Sequence, residues 1–170
     1  MAAVRAEPAD DAERLTELVD GDVVTVSERR GEWARVVTAY DYPGWVRHEA
    51  FAGADPVAEA RGFLGAPYLW GGMTRGGIDC SGLVHMAYRR AGRLIPRDAD
   101  QQEEAGRPVS DAEARPGDLV TYGESTATHI AFWLGDGRIL HSTQRDGVDG
   151  VVEEREPEDL RARRRRLVRF

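Results

Sequence analysis

The stretch GIDCSGLV, residues 77–84, places the only cysteine of the chain where a glycine-rich loop gives way to a helical pattern. Apolar residues follow at helical spacing from Cys80 to Arg90, and Gly92 then supplies a stop signal. The unpaired N–H groups at a helix start favour an anion and lower the pKa of a thiol. We therefore expect Cys80 to open a helix, to exist as a thiolate, and to turn its own backbone N–H toward a developing oxyanion.

A single cysteine has consequences of its own. It excludes an internal disulfide, a thiol-rich zinc site and a Cys-x-x-Cys redox pair. A lone cysteine can also be a small buried hydrophobe, or Cys80 could ligate a metal together with His129 and His141. Zinc would need a fourth ligand or an open position, and the helix start favours nucleophilic use. We expect neither a metal nor an organic cofactor.

Four histidines are available to act as a base: His48, His85, His129 and His141. His85 lies too far along the predicted helix, and His48 belongs to the N-terminal part, so both are weak candidates. His129 and His141 begin and end a predicted hairpin that turns near Asp136, and strand pairing would bring them together. His129 would then accept the thiol proton and His141 would orient its ring. A histidine at a strand end is, however, more often structural than catalytic.

Composition restricts the class of protein. The chain has 170 residues, a formal net charge of −7 and a mean hydropathy of −0.51, which indicate a soluble globular protein without a membrane span. The cluster of arginines at 161–166 is expected to cap a surface helix or an edge strand rather than to bind nucleic acid. The N-terminal residues do not form a signal peptide, so a cytoplasmic protein is expected if Met1 is the native start.

The order of predicted elements indicates two domains, at 1–52 and 56–170. Short β-type runs in the first 52 residues predict a small all-β barrel. Asp55 then caps a helix that Pro56 begins. Helices precede the strands of an antiparallel sheet in the second domain, which is an α+β layout.

Several separated blocks of the second domain resemble one family. The stretch FLGAPYLWGG at 63–72, together with GIDCSGLV, looks like the catalytic signature of the NlpC family of papain-like cell-wall cysteine peptidases. The blocks IPRD at 95–98, RPGDLV at 115–120, THIA at 128–131 and LGDGRILH at 134–141 follow in the family's order. This resemblance implies a papain-like fold, with helices packed on an antiparallel sheet. The first 52 residues are similar to the bacterial SH3-like domains often fused ahead of it.

The resemblance implies hydrolysis of the bond between γ-D-glutamate and the following diamino acid in peptidoglycan stem peptides. It makes Cys80 the nucleophile, His129 the general base and acid, and His141 the polar orienter. It also places Tyr68 beside the oxyanion, although Tyr68 could equally be a core aromatic residue. Family members with an SH3-like domain bind a free N-terminal L-alanine, and Trp70, Asp79 and Ser81 inherit that role. Asp79 has a local alternative role as the helix N-cap.

The implied partners are peptidoglycan-derived peptides, and murein recycling in the cytoplasm is the expected setting. An acidic residue of the SH3-like domain is expected to help bind the substrate amine; the candidates are Glu7, Asp10, Asp11, Glu13 and Glu17. Two other functions stay open. The same Cys-His-His group could serve an amidase or acyltransferase, or the domain could be a catalytically inactive cell-wall-binding module.

Overall fold

The structure is a computed structural model that describes residues 2–19, 22–47 and 55–170. It divides into two compact units, an N-terminal unit around residues 2–47, with which residues 90–92 are grouped, and a C-terminal unit that contains the rest of residues 55–170. The first is all-β and the second combines helices with an antiparallel sheet, so the predicted fold class is confirmed.

The N-terminal unit is a five-stranded antiparallel sheet in the order β2-β1-β5-β4-β3. Its strands are β1 (Ala2–Arg5), β2 (Arg14–Leu18), β3 (Val24–Arg30), β4 (Trp33–Thr38) and β5 (Pro43–Arg47). Apolar side chains from four of these strands form its core: Val4, Leu18, Ala34, Val36 and Val46. The three short β-type runs of the sequence, at 22–26, 32–37 and 43–46, correspond to β3, β4 and β5, whereas β1 and β2 were not anticipated.

The C-terminal unit is organised around a six-stranded antiparallel sheet in the order β12-β11-β10-β9-β13-β8. Its strands are β8 (Arg107–Val109), β9 (Leu119–Tyr122), β10 (His129–Gly135), β11 (Arg138–Arg145), β12 (Val148–Arg155) and β13 (Arg164–Arg169). The short strands β6 (Met73–Thr74) and β7 (Gly77–Ile78) pair separately. The helices are α1 (Pro56–Arg61), α2 (Cys80–Arg90), α3 (Ala99–Ala105) and α4 (Glu158–Arg161), and a 3-10 helix spans Asp111–Glu113.

Strand β10 shows how this sheet buries both faces. Ile130 and Phe132 pack in the same core as the apolar face of α2, which includes Leu83. Ala131 points to the opposite face, where it packs in a second core with Leu160 of α4. Because side chains alternate along a strand, a run that is apolar at every position requires cover on both sides.

Helix α2 begins and ends where the sequence predicts, at Cys80 and Arg90, and Gly92 follows it with a positive φ of 78°. Gly82 in its first turn lets the helix approach the glycine-rich loop. A Cβ at that position would lie 2.4 Å from the carbonyl oxygen of Gly72, closer than side-chain carbons pack. The helix start is therefore packed directly against the loop that precedes it.

Three predictions depend on the remainder of the chain. Residues 48–54 lie outside the described residues, so His48, the linker and the domain bounds 1–52 and 56–170 stay predictions. Arg161 lies in the last turn of α4, as the helix alternative predicts, and the cluster then enters β13, which lies between β9 and β8 and is not an edge strand. Arg164 pairs with Glu156, and Arg165 with Glu103.

No helix in the described parts of the chain is long and apolar enough to cross a membrane.

Candidate active site

Asp79 fixes the start of the helix that carries Cys80. One carboxylate oxygen accepts the N–H of Gly82 at 2.7 Å, and the other accepts the N–H of Gly71 at 2.6 Å. The first bond is an N-cap, and the second ties the glycine-rich loop to the helix. Asp79 therefore fills the local role that the sequence left open beside its role in substrate binding.

Burial dominates the ionisation of Cys80, whose side chain is only 5% exposed. It raises the pKa of the thiol to about 11, and the nearby Asp79 carboxylate adds to that rise. The backbone N–H groups of Ile130, Ser81 and Cys80 act in the opposite direction but do not outweigh the loss of solvent. Burial therefore opposes the thiolate that the sequence predicts, and proton transfer from the thiol needs a base.

The predicted hairpin supplies a histidine pair for that purpose. Nε2 of His129 lies 2.8 Å from Nδ1 of His141, across the neighbouring strands β10 and β11. The Asp136-Gly137 turn that joins the strands has the positive φ values of a tight hairpin. The backbone N–H of Ile130, which directly follows His129 in the chain, approaches the sulfur of Cys80.

Both imidazoles are neutral in this environment. Burial and the neighbouring His141 lower the pKa of His129 to about 3. Burial also lowers the pKa of His141, although its contact with Glu154 opposes the change. The site therefore starts with a neutral thiol and a neutral base.

Tyr68 precedes the nucleophile in the chain, whereas the two histidines follow it. Its backbone forms a bridge with Ile78, two residues before Cys80, and its side chain is half-buried. Burial raises the pKa of its hydroxyl, and the Cys80 sulfur, when ionised, and the Asp79 carboxylate add to the rise. The hydroxyl is thus protonated and electrostatically close to the sulfur, as a hydrogen-bond donor to an oxyanion must be.

An open cleft of about 550 Å³ gives access to Cys80 within the C-terminal unit. Trp70, Asp79 and Ser81 line it, and Trp70 is 81% exposed. Its remaining lining includes three charged residues that sequence analysis did not single out: Arg97, Asp98 and Asp100.

Arg97 changes the picture of Asp79. Its guanidinium donates to a carboxylate oxygen of Asp79 at 2.8 Å and to the hydroxyl of Ser81 at 2.8 Å. Asp79, itself 5% exposed, therefore meets the cleft already paired with a cation. Its role toward a substrate ammonium stays a prediction, now with a competitor in place. The IPRD block held Arg97, but only the folded contact shows which residue it pairs with.

Glu154 is a second residue that the sequence analysis missed. Its Oε1 lies 2.8 Å from Nε2 of His141, and Arg145 pairs with the same carboxylate. By contrast, His85 binds the carbonyl of Ile95 through Nδ1, which is a structural use. Across residues 2–19, 22–47 and 55–170, no group of three or more His, Cys, Asp and Glu side chains is arranged to hold a metal ion.

Two of the acidic candidates in the N-terminal unit have partners within that unit. Asp10 accepts from Nε of Arg47 at 2.8 Å, and Glu17 pairs with Arg14. The role of any of the five toward a substrate amine stays a prediction.

Comparison with known proteins agrees with this architecture. A model of the NlpC/P60 family matches residues 65–161, and a model of the bacterial dipeptidyl-peptidase SH3 domain matches residues 4–51. A γ-D-glutamyl-L-lysine dipeptidyl-peptidase of Bacillus cereus is 37% identical over 95 residues, which are 54% of this chain and 28% of that protein. The matched stretch spans 24% to 42% of the length of these curated relatives.

Solved structures show the same fold. A Bacillus cereus NlpC/P60 protein superimposes with a TM-score of 0.65 at 22% identity, covering 99% of this chain and 60% of that one. RipD of Mycobacterium tuberculosis, described as a non-catalytic NlpC/p60 domain protein adapted to peptidoglycan binding, gives a TM-score of 0.58 at 28% identity over 68% of this chain and 95% of its own. The family model covers more than half of the chain, and the cysteine and histidine pair lie within the matched residues. The chain belongs to the NlpC/P60 family.

Proposed function

We propose that this protein is a cysteine peptidase that hydrolyses the bond between γ-D-glutamate and the following diamino acid in peptidoglycan stem peptides. The observation that carries the proposal is the hydrogen-bonded pair of His129 and His141, together with the approach of the adjacent Ile130 N–H to the buried thiol of Cys80. Membership of the NlpC/P60 family supports the substrate class. The relative named a γ-D-glutamyl-L-lysine dipeptidyl-peptidase supports the choice of bond.

The chemistry follows from the neutral starting state. As the sulfur of Cys80 bonds to the scissile carbonyl carbon, the thiol proton moves to Nδ1 of His129, the nitrogen not used by His141. The carbonyl electron pair moves to oxygen, where the backbone N–H of Cys80 and the hydroxyl of Tyr68 donate to it. His129 then protonates the leaving amine as the C–N bond breaks and a thioester forms.

Water completes the cycle. His129, neutral again, takes a proton from the water that attacks the thioester, and the thiol returns as the acid leaves. The proton therefore passes through one nitrogen in both halves of the reaction. Holding that nitrogen unprotonated in the free protein is the requirement that the site must meet.

We also propose a preference for peptides with a free N-terminal L-alanine. Trp70, Asp79 and Ser81 share the cleft of Cys80, which supports a binding site for the end of a short peptide there. Because Arg97 already pairs with Asp79 and, at 3.9 Å, with Asp98, the exposed carboxylate of Asp100 is a further acceptor for the substrate ammonium. An ammonium bound at this end would select released peptides over intact wall.

One experiment tests the activity and the preference together. The protein is incubated with L-Ala-γ-D-Glu-diaminopimelate, with its N-acetylated form and with polymeric peptidoglycan, and products are identified by mass spectrometry. We expect release of L-Ala-γ-D-Glu from the free peptide and none with Cys80→Ala. Equal cleavage of the acetylated peptide would contradict the amine preference, and no cleavage of any substrate would contradict the peptidase.

A wall-binding function without catalysis is a second candidate, because RipD has the same fold and is described in those terms. Co-sedimentation with insoluble peptidoglycan distinguishes the two. Retention on the wall by wild type and Cys80→Ala alike, without product, would favour binding. An acyltransferase would instead yield the dipeptide joined to an added amine, which the same mass spectra reveal.

A further inference from the structure

Glu154 lies directly behind the histidine pair. Strand β12 pairs with β11 so that Glu154 faces Ile139 and Val152 faces His141. Glu154 is therefore on the same face as His141, one diagonal step away. The contact from its Oε1 to Nε2 of His141 is 2.8 Å, and His141 is fully buried.

Glu154, His141 and His129 form a chain of hydrogen bonds, in which the position of the hydrogen in one bond determines its position in the next. An ionised carboxylate only accepts hydrogen bonds, so Nε2 of His141 must carry a hydrogen. In a neutral ring, Nδ1 of His141 is then an acceptor, and its partner at 2.8 Å, Nε2 of His129, must be the donor. That leaves Nδ1 of His129 without a hydrogen and free to take the thiol proton.

Arg145 holds the carboxylate in place. It lies on β11 and its Nη2 donates to both oxygens of Glu154, at 2.5 Å to Oε1. Burial opposes the charge of Glu154, but the hydrogen bonds from Arg145 and His141 outweigh it and lower the pKa of the carboxyl. Two other charged groups act on the histidines, Asp159 on His141 and Arg163 on His129.

We infer that Glu154, held by Arg145, is a positioning residue that fixes the tautomers of His141 and His129 and so keeps Nδ1 of His129 ready to accept the Cys80 proton. Its effect on rate rests on the proposed peptidase function. Its effect on the two rings does not, because it follows from the hydrogen-bond chain alone.

Imidazole ¹⁵N NMR of the wild-type protein is the first test. We expect His141 and His129 each to carry hydrogen on Nε2 at neutral pH, with assignments from single histidine variants. Hydrogen on Nδ1 of either ring would overturn the inference. This measurement needs no substrate, so it distinguishes failure of the inference from failure of the proposed function.

Three variants then test the cause. Glu154→Gln offers an amide that can also donate, so we expect mixed tautomers and a fall in kcat of about 10- to 100-fold with little change in KM. Glu154→Asp keeps the carboxylate and should recover part of the rate and the Nε2–H tautomers. Glu153→Gln is the matched control, because Glu153 lies on the same strand but pairs with Arg61 and Arg138.

The tautomers and the rates of these variants distinguish a specific role of Glu154 from a general effect of changing strand β12. Unchanged tautomers in Glu154→Gln, or an equal loss of kcat in Glu153→Gln, would overturn the role of Glu154. If wild type cleaves no peptide, the rate of iodoacetamide alkylation of Cys80 at neutral pH replaces kcat as the readout. We then expect slower alkylation in Glu154→Gln than in Glu153→Gln, and equal rates would count against the inference.

Discussion

Replacing Arg97 with Met removes a cation from the wall of the cleft while keeping most of the side-chain length. Arg97 donates to Asp79 and Ser81, each at 2.8 Å, and to the carbonyl of Gly72 at 3.3 Å. A hydrogen bond to a charged group contributes about 1.5–3 kcal/mol, and one between neutral groups about 1. The Arg97 side chain is 25% exposed, so solvent screening reduces the ionic contribution. We expect a loss of about 2 kcal/mol in the free energy of unfolding.

Urea denaturation followed by tryptophan fluorescence measures that loss. With a slope of about 1–3 kcal/mol per molar urea, the midpoint for the C-terminal unit should fall by roughly 1 M. Arg75→Met is the matched control, because Arg75 is exposed and has no ion pair among the residues that the structure describes. A double variant with Asp79→Asn should show an interaction energy of about 1 kcal/mol or more. Equal midpoints for Arg97→Met and Arg75→Met would refute the reasoning.

Three further predictions address ionisation and packing. Because burial raises the pKa of Cys80 to about 11, the rate of iodoacetamide alkylation should rise steadily from pH 7 to pH 10; a plateau below pH 8 would show a thiolate instead. Asp118 is buried and pairs with Arg169, and although burial works against it, that contact lowers its pKa. A carboxyl whose folded pKa is depressed stabilises the fold above its unfolded pKa of about 4, and this contribution is lost as pH falls through the lower folded value. In urea titrations, Asp118→Asn should therefore be less stable than wild type at pH 7. Between pH 5 and pH 3 the variant should lose less stability than wild type does. Gly82→Ala should cost about 1–3 kcal/mol and slow turnover, since its Cβ would meet the carbonyl oxygen of Gly72 at 2.4 Å; unchanged stability and kcat would show that the loop yields freely.

The parts of the fold that could be predicted carry their signals locally. Helix α2 has its cap at Asp79, its apolar spacing and its stop at Gly92 within one short stretch. The β10–β11 hairpin has a two-residue turn whose conformation suits Asp136 and Gly137. In both places one segment of sequence determines the structure, so the positions of Cys80, His129 and His141 followed.

The elements that were missed lack such local signals. Strand β2, Arg14–Leu18, carries a charged residue at both Arg14 and Glu17, and only Leu18 is fully buried. Helix α3, Ala99–Ala105, is short and polar, and two of its three buried residues are Gln102 and Glu103. Their burial depends on contacts made elsewhere: Glu103 accepts from Thr121 and pairs with Arg165. Tertiary contacts, rather than propensity, place these segments.

The role of Glu154 could have been found with one more step from the sequence. The Asp146-Gly147 turn pairs Arg145 with Val148, and counting back from it places Glu154 opposite Ile139. Since side chains alternate, Glu154 shares a face with His141 and Arg145, whereas Glu153 shares the other face with Arg138. Two adjacent glutamates thus have different partners, and the turn length determines which one meets the histidine.

The ionisation of Cys80 shows why the contact between Glu154 and His141 matters for the chemistry. A helix start favours a thiolate, but at this site burial has the larger effect on both the thiol and His129. Proton transfer between them therefore produces charge that the free site does not hold. In the proposed mechanism, the positive charge that develops on His129 is stabilised through its hydrogen bond to His141, which in turn contacts the carboxylate of Glu154 that Arg145 holds in place. With a neutral thiol and a neutral base, the proposed mechanism forms its charges only in the transition state, where the ionised Glu154 favours the positive charge on His129.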